Sequence, residues 1–426
     1  MDVTINTLSG VQQEAEIAVT GTELQPVFER AYEKYRQKVE LKGFRKGKAP
    51  MEMIKRMYGE AIEHESLDDV VDEFYKKAMQ EKNIRPVGQP KMVDMDFKRG
   101  ELFKFKIAYE VRPEIELKKY KGVSVEKPVH KITEEEINAE IEHLRRTNST
   151  TEEVKAVTDE EHIVTADVQE LDDAGTPLVG KKSGNTRFLL SDTSLAPEIK
   201  AALSNAEVDG TYRVSLETSH GDHSHTMHAA LTVSKIEKVI LPPFDDELVK
   251  KITKDKITSA EEFLKNVRED IAKYWQDQAE RKLRDAIAEE IVRTHEFDVP
   301  ESMVNSFLDA FVEDVKNRSR ERTLPKGFDE KKFREESRSY AIWQSRWMLL
   351  KETIAEKEGL TVEEADIDQL ADAEAGRVGI DKERLLEYYK SSGAVAERLL
   401  SDKVMALLKS HAKIKEVDEP VQGNIA

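Results

Sequence analysis

The stretch LKGFRKGKAP, residues 41–50, interrupts an otherwise helical pattern and decides how the first part of the chain folds. Gly43 and Gly47 bracket Phe44, Arg45 and Lys46. Glycine takes positive φ without steric cost, so the segment reads as a loop that projects one aromatic ring and two cations together. Before it, Leu24, Val27, Phe28, Ala31, Tyr32, Tyr35 and Val39 keep an i, i+3, i+4 rhythm, which predicts a helix capped by Thr22 and stopped by Gly43. After it, a second helix is expected from 51 to about 82. Outside the helices the period changes to two: Ala15, Ile17 and Val19 alternate, and within 102–111 Phe103, Phe105, Ile107, Tyr109 and Val111 share one face. Helices set against strands of one small sheet make residues 1–112 an α/β sandwich-like domain.

Working outward, residues 113–158 are charged, with Ile137, Ile141 and Leu144 as a thin apolar stripe, and read as a mostly helical, solvent-exposed linker. Residues 159–240 turn β-rich: Val164, Ala166 and Val168 alternate, then Val214 and Leu216, then Ala229, Leu231 and Val233. Gly175-Thr176-Pro177 and Asp209-Gly210 supply turns between them. From 241 to 426 everything reads as helix. Ser259 and Glu262 form a capping box, Pro300 opens a helix with Met303, Val304, Phe307, Leu308, Phe311 and Val315 on one stripe, and further helices are expected over 333–354, after Thr361, and over 385–408. The fold class is α+β, multidomain.

Composition agrees. A chain of 426 residues at roughly 150 per domain implies about three domains. Charged residues are 36%, apolar 38% and aromatic 7%, with a mean hydropathy of −0.62, so surface is large relative to core. The net charge of −18 repels nucleic acid and anionic lipid as a whole, so no DNA or membrane partner is expected, and any RNA contact must be local. The absence of cysteine excludes disulfides, thiolate metal sites and cysteine nucleophiles, and fits a reducing, cytoplasmic setting. Residues 1–19 alternate polar and apolar and read as strand, not as a signal peptide.

Against this acidic background residues 34–56 carry nine basic side chains and two acidic ones. Such an inversion calls for an anionic partner, with Arg45 and Lys46 on phosphates and Phe44 in an apolar niche or against a base. GFRKGKAP, residues 43–50, resembles the ribosome-docking signature GFRxGxxP of the bacterial trigger factor family, and every fixed position is present. Three weaker likenesses follow: IRPVGQP at 84–90 is similar to the family's INPxGxP step, YEVRPEIEL at 109–117 to its FxVxPEVEL strand end, and Asp298-Val299-Pro300 to its DVP helix start. The resemblance implies an N-terminal ribosome-binding domain that contacts protein and RNA at the polypeptide exit of the large subunit. It also implies an FKBP-like middle module and an elongated helical C-terminal body with two arms that shield nascent and unfolded chains. It implies no cofactor, and leaves open a homodimer off the ribosome.

A surface for varied clients needs scattered apolar spots, each worth about 1.5–3 kcal/mol, so that release stays fast. Met303, Phe307, Phe311, Trp343, Trp347, Met348, Tyr388 and Tyr389 are the candidates, with helix core as the competing reading of each. In the middle module the sequence departs from the family. An FKBP-type isomerase lowers an amide barrier of about 18–20 kcal/mol by enclosing proline among aromatics. Here the matching positions read Val168, Leu178 and Ile199, and Phe188 is the module's one phenylalanine. Prolyl-isomerase activity is therefore expected to be weak or lost, the alternative being an active isomerase. The loop 219–228 holds four of ten histidines, among which His223 and His225 could share a face toward a metal ion; a polar hairpin end is the favoured reading. Nothing resembles a hydrolase triad, a phosphate loop or a dinucleotide fingerprint.

Overall fold

The computed structural model describes residues 1–220 and 223–419, and the side chains of these except 218–220, 223–225 and 378. In chain order the elements are β1 (Asp2–Thr7), β2 (Gln12–Val19), α1 (Gly21–Lys38), α2 (Met51–Glu65), α3 (Leu67–Glu81), β3 (Val87–Asp96), β4 (Phe103–Glu110) and β5 (Ser124–Val129). Then come α4 (Glu134–Thr147), β6 (Thr150–Val154), β7 (His162–Leu171), β8 (Pro177–Leu189), α5 (Pro197–Leu203), β9 (Thr211–His220) and β10 (His223–Ile240). The rest is α6 (Asp246–Thr253), α7 (Ala260–Thr294), α8 (Glu301–Arg318), α9 (Glu330–Glu358), α10 (Glu364–Val378), α11 (Lys382–Ser391), α12 (Gly393–His411) and β11 (Lys413–Asp418). The chain divides into two compact units, one of Met1–Pro128 with Glu280–Val417, the other of Val129–Ala279 with Asp418–Ala426.

In the first unit an antiparallel sheet of order β1-β2-β4-β3 is layered with α1 and α3. The period-two pattern in β4 leaves Phe103, Phe105, Ile107 and Tyr109 at most 3% exposed, beside Ala15, Ile17 and Val19 of β2. Val70, Phe74 and Ala78 of α3 close that core. A second core joins Leu283, Ile287 and Ile291 of α7 to Trp347, Leu350 and Ile354 of α9 and to Val404 and Leu408 of α12.

The second unit is built on an antiparallel sheet of order β6-β10-β7-β8, with β9 also on β10. Val164, Ala166, Val214, Ala229, Leu231 and Val233 form its core, with Ile199 and Leu203 of α5 against them.

Several expectations are corrected. The α1 cap is Thr20, not Thr22, because Glu23 lies three residues beyond Thr20 and its carboxylate accepts the Thr20 N–H at 3.1 Å. That helix ends at Lys38, where Val39 turns extended, well short of Gly43. The segment 51–82 is two helices, because Ser66 donates its hydroxyl to the Glu63 carbonyl at 2.9 Å and closes α2. Residues 113–158 are not mainly helix: α4 is their one helix, and Tyr120, Val123 and Val125 are buried in the helical core. His295 pins this segment, its Nε2 accepting the Lys118 N–H at 2.9 Å while Nδ1 donates to the Ile291 carbonyl. Nor is everything after 241 helical, since β11 pairs with β5. Glu363, not Thr361, caps α10, and Ser392 divides 385–408 into α11 and α12.

Phe105→Ala should cost about 3–5 kcal/mol, seen as lowered amide protection in β2 and α3 by hydrogen exchange. Glu280 accepts from Lys127 of β5 at 2.8 Å and from Lys409 of α12, and these ammonium groups hold its carboxyl below the usual carboxylate range. A depressed folded value contributes stability above the unfolded carboxylate range and loses it as pH falls. Glu280→Gln should therefore lower the urea midpoint at about pH 7 and leave it nearly unchanged at about pH 3.

Candidate functional site

The loop between α1 and α2 is shaped by its ends. Val39 leaves α1 in extended conformation, and Pro50, at φ −61° and ψ 137°, opens α2. Between them, the Phe44 N–H donates to the Leu41 carbonyl at 3.1 Å and the Lys48 N–H to the Arg45 carbonyl at 2.9 Å, closing two turns. Gly43 and Gly47 sit at φ +91° and +79°, as the bracketing predicts. Ala49 is buried with Tyr32, Ile54 and Ile62, and Val39 and Leu41 pack on that cluster, so both ends are anchored while the tip is not. Beneath, Tyr32 donates its hydroxyl to Glu63, which also pairs with Arg99 at 2.9 Å; burial, with Glu63 adding to it, pushes the Tyr32 phenol up to about 12.

At the tip Phe44 is 39% exposed, and Arg45 and Lys46 are exposed. Arg36 is neutralised by Glu33 at 2.6 Å and Lys55 by Glu29, but Lys46 reaches Glu40 only at 3.8 Å. Among the described residues Lys42, Arg45 and Lys48 form no ion pair. The loop thus offers cations without intramolecular partners, the condition for salt-dependent binding to phosphates.

The C-terminal candidates separate. Phe307 and Phe311 of α8 lie with ring centroids 6.4 Å apart, Phe311 stacks on Tyr340 of α9 at 5.5 Å, and Tyr340 on Trp343 at 5.9 Å with planes 7° apart. Tyr340, more than half exposed, links the series; the sequence reading missed it because it lies outside the stripe that faces the core. Trp343 then borders a cleft of about 740 Å³ with Val292, Arg346 and Met405. Met303 and Met348 are half-buried and Tyr388 is exposed. Trp347 and Tyr389 are core residues, the first packed with Ile287 and Leu350, the second with Ala371 and Leu385 and donating to Glu374.

In the middle module Val168 and Phe188 lie half-buried against the sheet core and Ile199 is part of it, whereas Leu178 is exposed at the start of β8. Tyr212, the module's other aromatic residue, accepts the Glu207 N–H at 2.8 Å and braces the Gly210 turn. His223 and His225 lie outside the residues whose side chains are described. Among the described residues no cluster of three or more metal-ligating side chains occurs, and no helix is long and apolar enough to cross a membrane.

A Cβ on Gly43 would meet no atom within 4 Å, so Gly43→Ala tests the backbone alone. Its φ penalty of about 1–2 kcal/mol should speed amide exchange at Phe44 and Lys48 several-fold and lower the melting temperature by no more than a few degrees.

Comparison with known proteins agrees with this architecture. The family profile described as bacterial trigger factor protein (TF) matches residues 1–144, and that of its C-terminus matches residues 259–410. The trigger factor of Salinibacter ruber is 31% identical over 96% of this chain and 93% of its own length. That of Chloroherpeton thalassium is 30% identical over 97% and 98%. A solved structure, reported as "Promiscuous Substrate Recognition in Folding and Assembly Activities of the Trigger Factor Chaperone", covers 96% of this chain and 99% of its own with a TM-score of 0.52 at 19% identity, which shows a shared fold. With both ends of the chain matched and full-length relatives aligned across the middle, the chain belongs to the bacterial trigger factor family of ribosome-associated chaperones.

Proposed function

We propose that this chaperone docks beside the polypeptide exit of the large ribosomal subunit through Phe44, Arg45 and Lys46, with Gly43 and Gly47 holding the loop's shape. The observation that carries this reading is the exposed cationic loop tip, where Arg45 forms no ion pair and Lys46 reaches only Glu40 at 3.8 Å, in a chain of net charge −18. Protein and RNA at the exit supply the apolar niche and the phosphates. Nascent and unfolded chains are then held by weak, dispersed contacts, for which Met303, Phe307, Phe311, Tyr340, Trp343, Met348 and Tyr388 have the accessible apolar surface. No cofactor enters this cycle, because folding of the client itself removes the apolar segments that bind. The setting is the cytoplasm, and self-association off the ribosome would cover the same apolar residues. In this reading residues 1–112 dock, 159–240 are a degenerate FKBP-like module and 241–426 hold clients, while 113–158 join them.

Prolyl-isomerase activity in the middle module is weak or lost. This is supported by the side chains at Val168, Leu178 and Ile199, none aromatic, and by the engagement of Phe188 in the sheet core. A proline-limited refolding assay should show suppressed client aggregation without faster isomerisation. Acceleration comparable to an active FKBP would overturn this part.

Docking is tested by co-sedimentation with bacterial ribosomes over a salt series. Wild type should bind with a log–log salt slope on the order of −2 to −3 for two to three phosphate contacts. The triple substitution Phe44→Ala, Arg45→Ala, Lys46→Ala should lose binding, and wild type failing to pellet would sink the reading.

A further inference from the structure

Three short stretches outside the docking loop resemble the family, 84–90, 109–117 and 298–300. In the fold they meet at one point. Glu110, the last residue of β4, places its carboxylate on the N-terminus of α8, accepting the N–H of Glu301 at 3.1 Å, the N–H of Ser302 at 2.9 Å and the Ser302 hydroxyl. Pro300 is the N-cap of α8 and has no side-chain oxygen, so the first turn must find its acceptor elsewhere. The acceptor lies 191 and 192 residues away in sequence from the two N–H groups it serves.

Gly88 makes the approach sterically possible. It sits in β3 at φ +71°, and a Cβ there would lie 2.4 Å from the Ser302 Cβ, closer than any packed pair tolerates. Ion pairs extend the junction on both sides: Arg338 of α9 grips the Glu301 carboxylate at 2.7 and 2.6 Å, and Arg112 pairs with Glu352 of α9. A carboxylate on two backbone N–H groups at a helix N-terminus is a charge-assisted contact, stronger than a neutral one and directional.

We propose that Glu110 and Gly88 are positioning residues that clamp the docking domain to the α8–α9 helix pair, so that the docking loop and the aromatic series on α8 and α9 keep a set relation. The clamp rests on the reading that these two surfaces dock and hold clients. Both partners are rigid. β4 is hydrogen-bonded on both edges, and α8 is packed on α9 through Val304, Leu308 and Ala341. A load on the aromatic series reaches the sheet through the first turn of α8 with no flexible segment between.

The cysteine-free chain allows the test directly. Lys42→Cys and Glu321→Cys place one dye on the docking loop and one beyond α8, and single-molecule energy transfer reads the distance distribution in the full-length protein. Glu110→Ala should broaden that distribution and speed amide exchange at Glu301 and Ser302 about tenfold, the scale of a lost helix cap. Glu110→Gln, which keeps one acceptor oxygen, should fall between. Gly88→Ala leaves the carboxylate in place and displaces Ser302, so it should broaden the distribution as well, and it decides the matter if Glu110→Ala does not fold. An unchanged distribution with unchanged exchange in the folded variants would overturn the clamp. Neither readout involves ribosomes, and all three variants keep the docking loop, so they should still co-sediment; loss of the docking reading would appear in wild type instead.

Discussion

The burial of one face of β4 is the constraint on which the first unit depends. Phe103, Phe105, Ile107 and Tyr109 each give up nearly all of their surface, a gain of roughly 1.5–3 kcal/mol per side chain, and they do so only if α1 and α3 lie across the sheet. Once those helices are seated, the loop between α1 and α2 has fixed ends, and its cations stay exposed, Lys46 beside Glu40 at 3.8 Å and Arg45 without an ion pair. The far end of the same strand carries Glu110 onto α8. A single buried strand therefore orients both the loop between α1 and α2 and the junction with the helical body.

A chain with 36% charged residues cannot build one large core, and this one builds several thin ones. Thin cores recruit apolar side chains from distant segments: Tyr120, Val123 and Val125 leave the charged stretch after the first domain to complete the α7–α9–α12 core. They also leave apolar rings at the margin, half covered, as in the series from Phe307 to Trp343. A half-buried ring is held in place by its neighbours yet keeps one face accessible. Contacts of that size are individually weak and exchange quickly.

The middle module is built with few large rings. Its sheet is filled by valine, alanine and leucine, and the two aromatic residues it retains are engaged structurally, Phe188 against the core and Tyr212 on the turn at Gly210. Sheet pairing and a small-residue core are sufficient to keep the architecture, whereas enclosing a proline needs large rings around a cavity.

The features legible in the sequence are those set by local periodicity or by residue chemistry. The β2 and β4 strands could be read because polar residues occupy the opposite face at period two, and the 41–50 loop because glycine φ freedom and charge are properties of the residues themselves. The breaks at Ser66 and Ser392 were harder, since a serine within a helical pattern ends it only when its neighbours leave a competing geometry free. Pairing of β5 with β11, burial of Trp347 and Tyr389 against exposure of Tyr340, and the seating of Glu110 on α8 were decided by tertiary structure alone. Each depends on which surface a distant segment covers, and a helix stripe carries the same 3.6-residue period whether its partner is core, client or water.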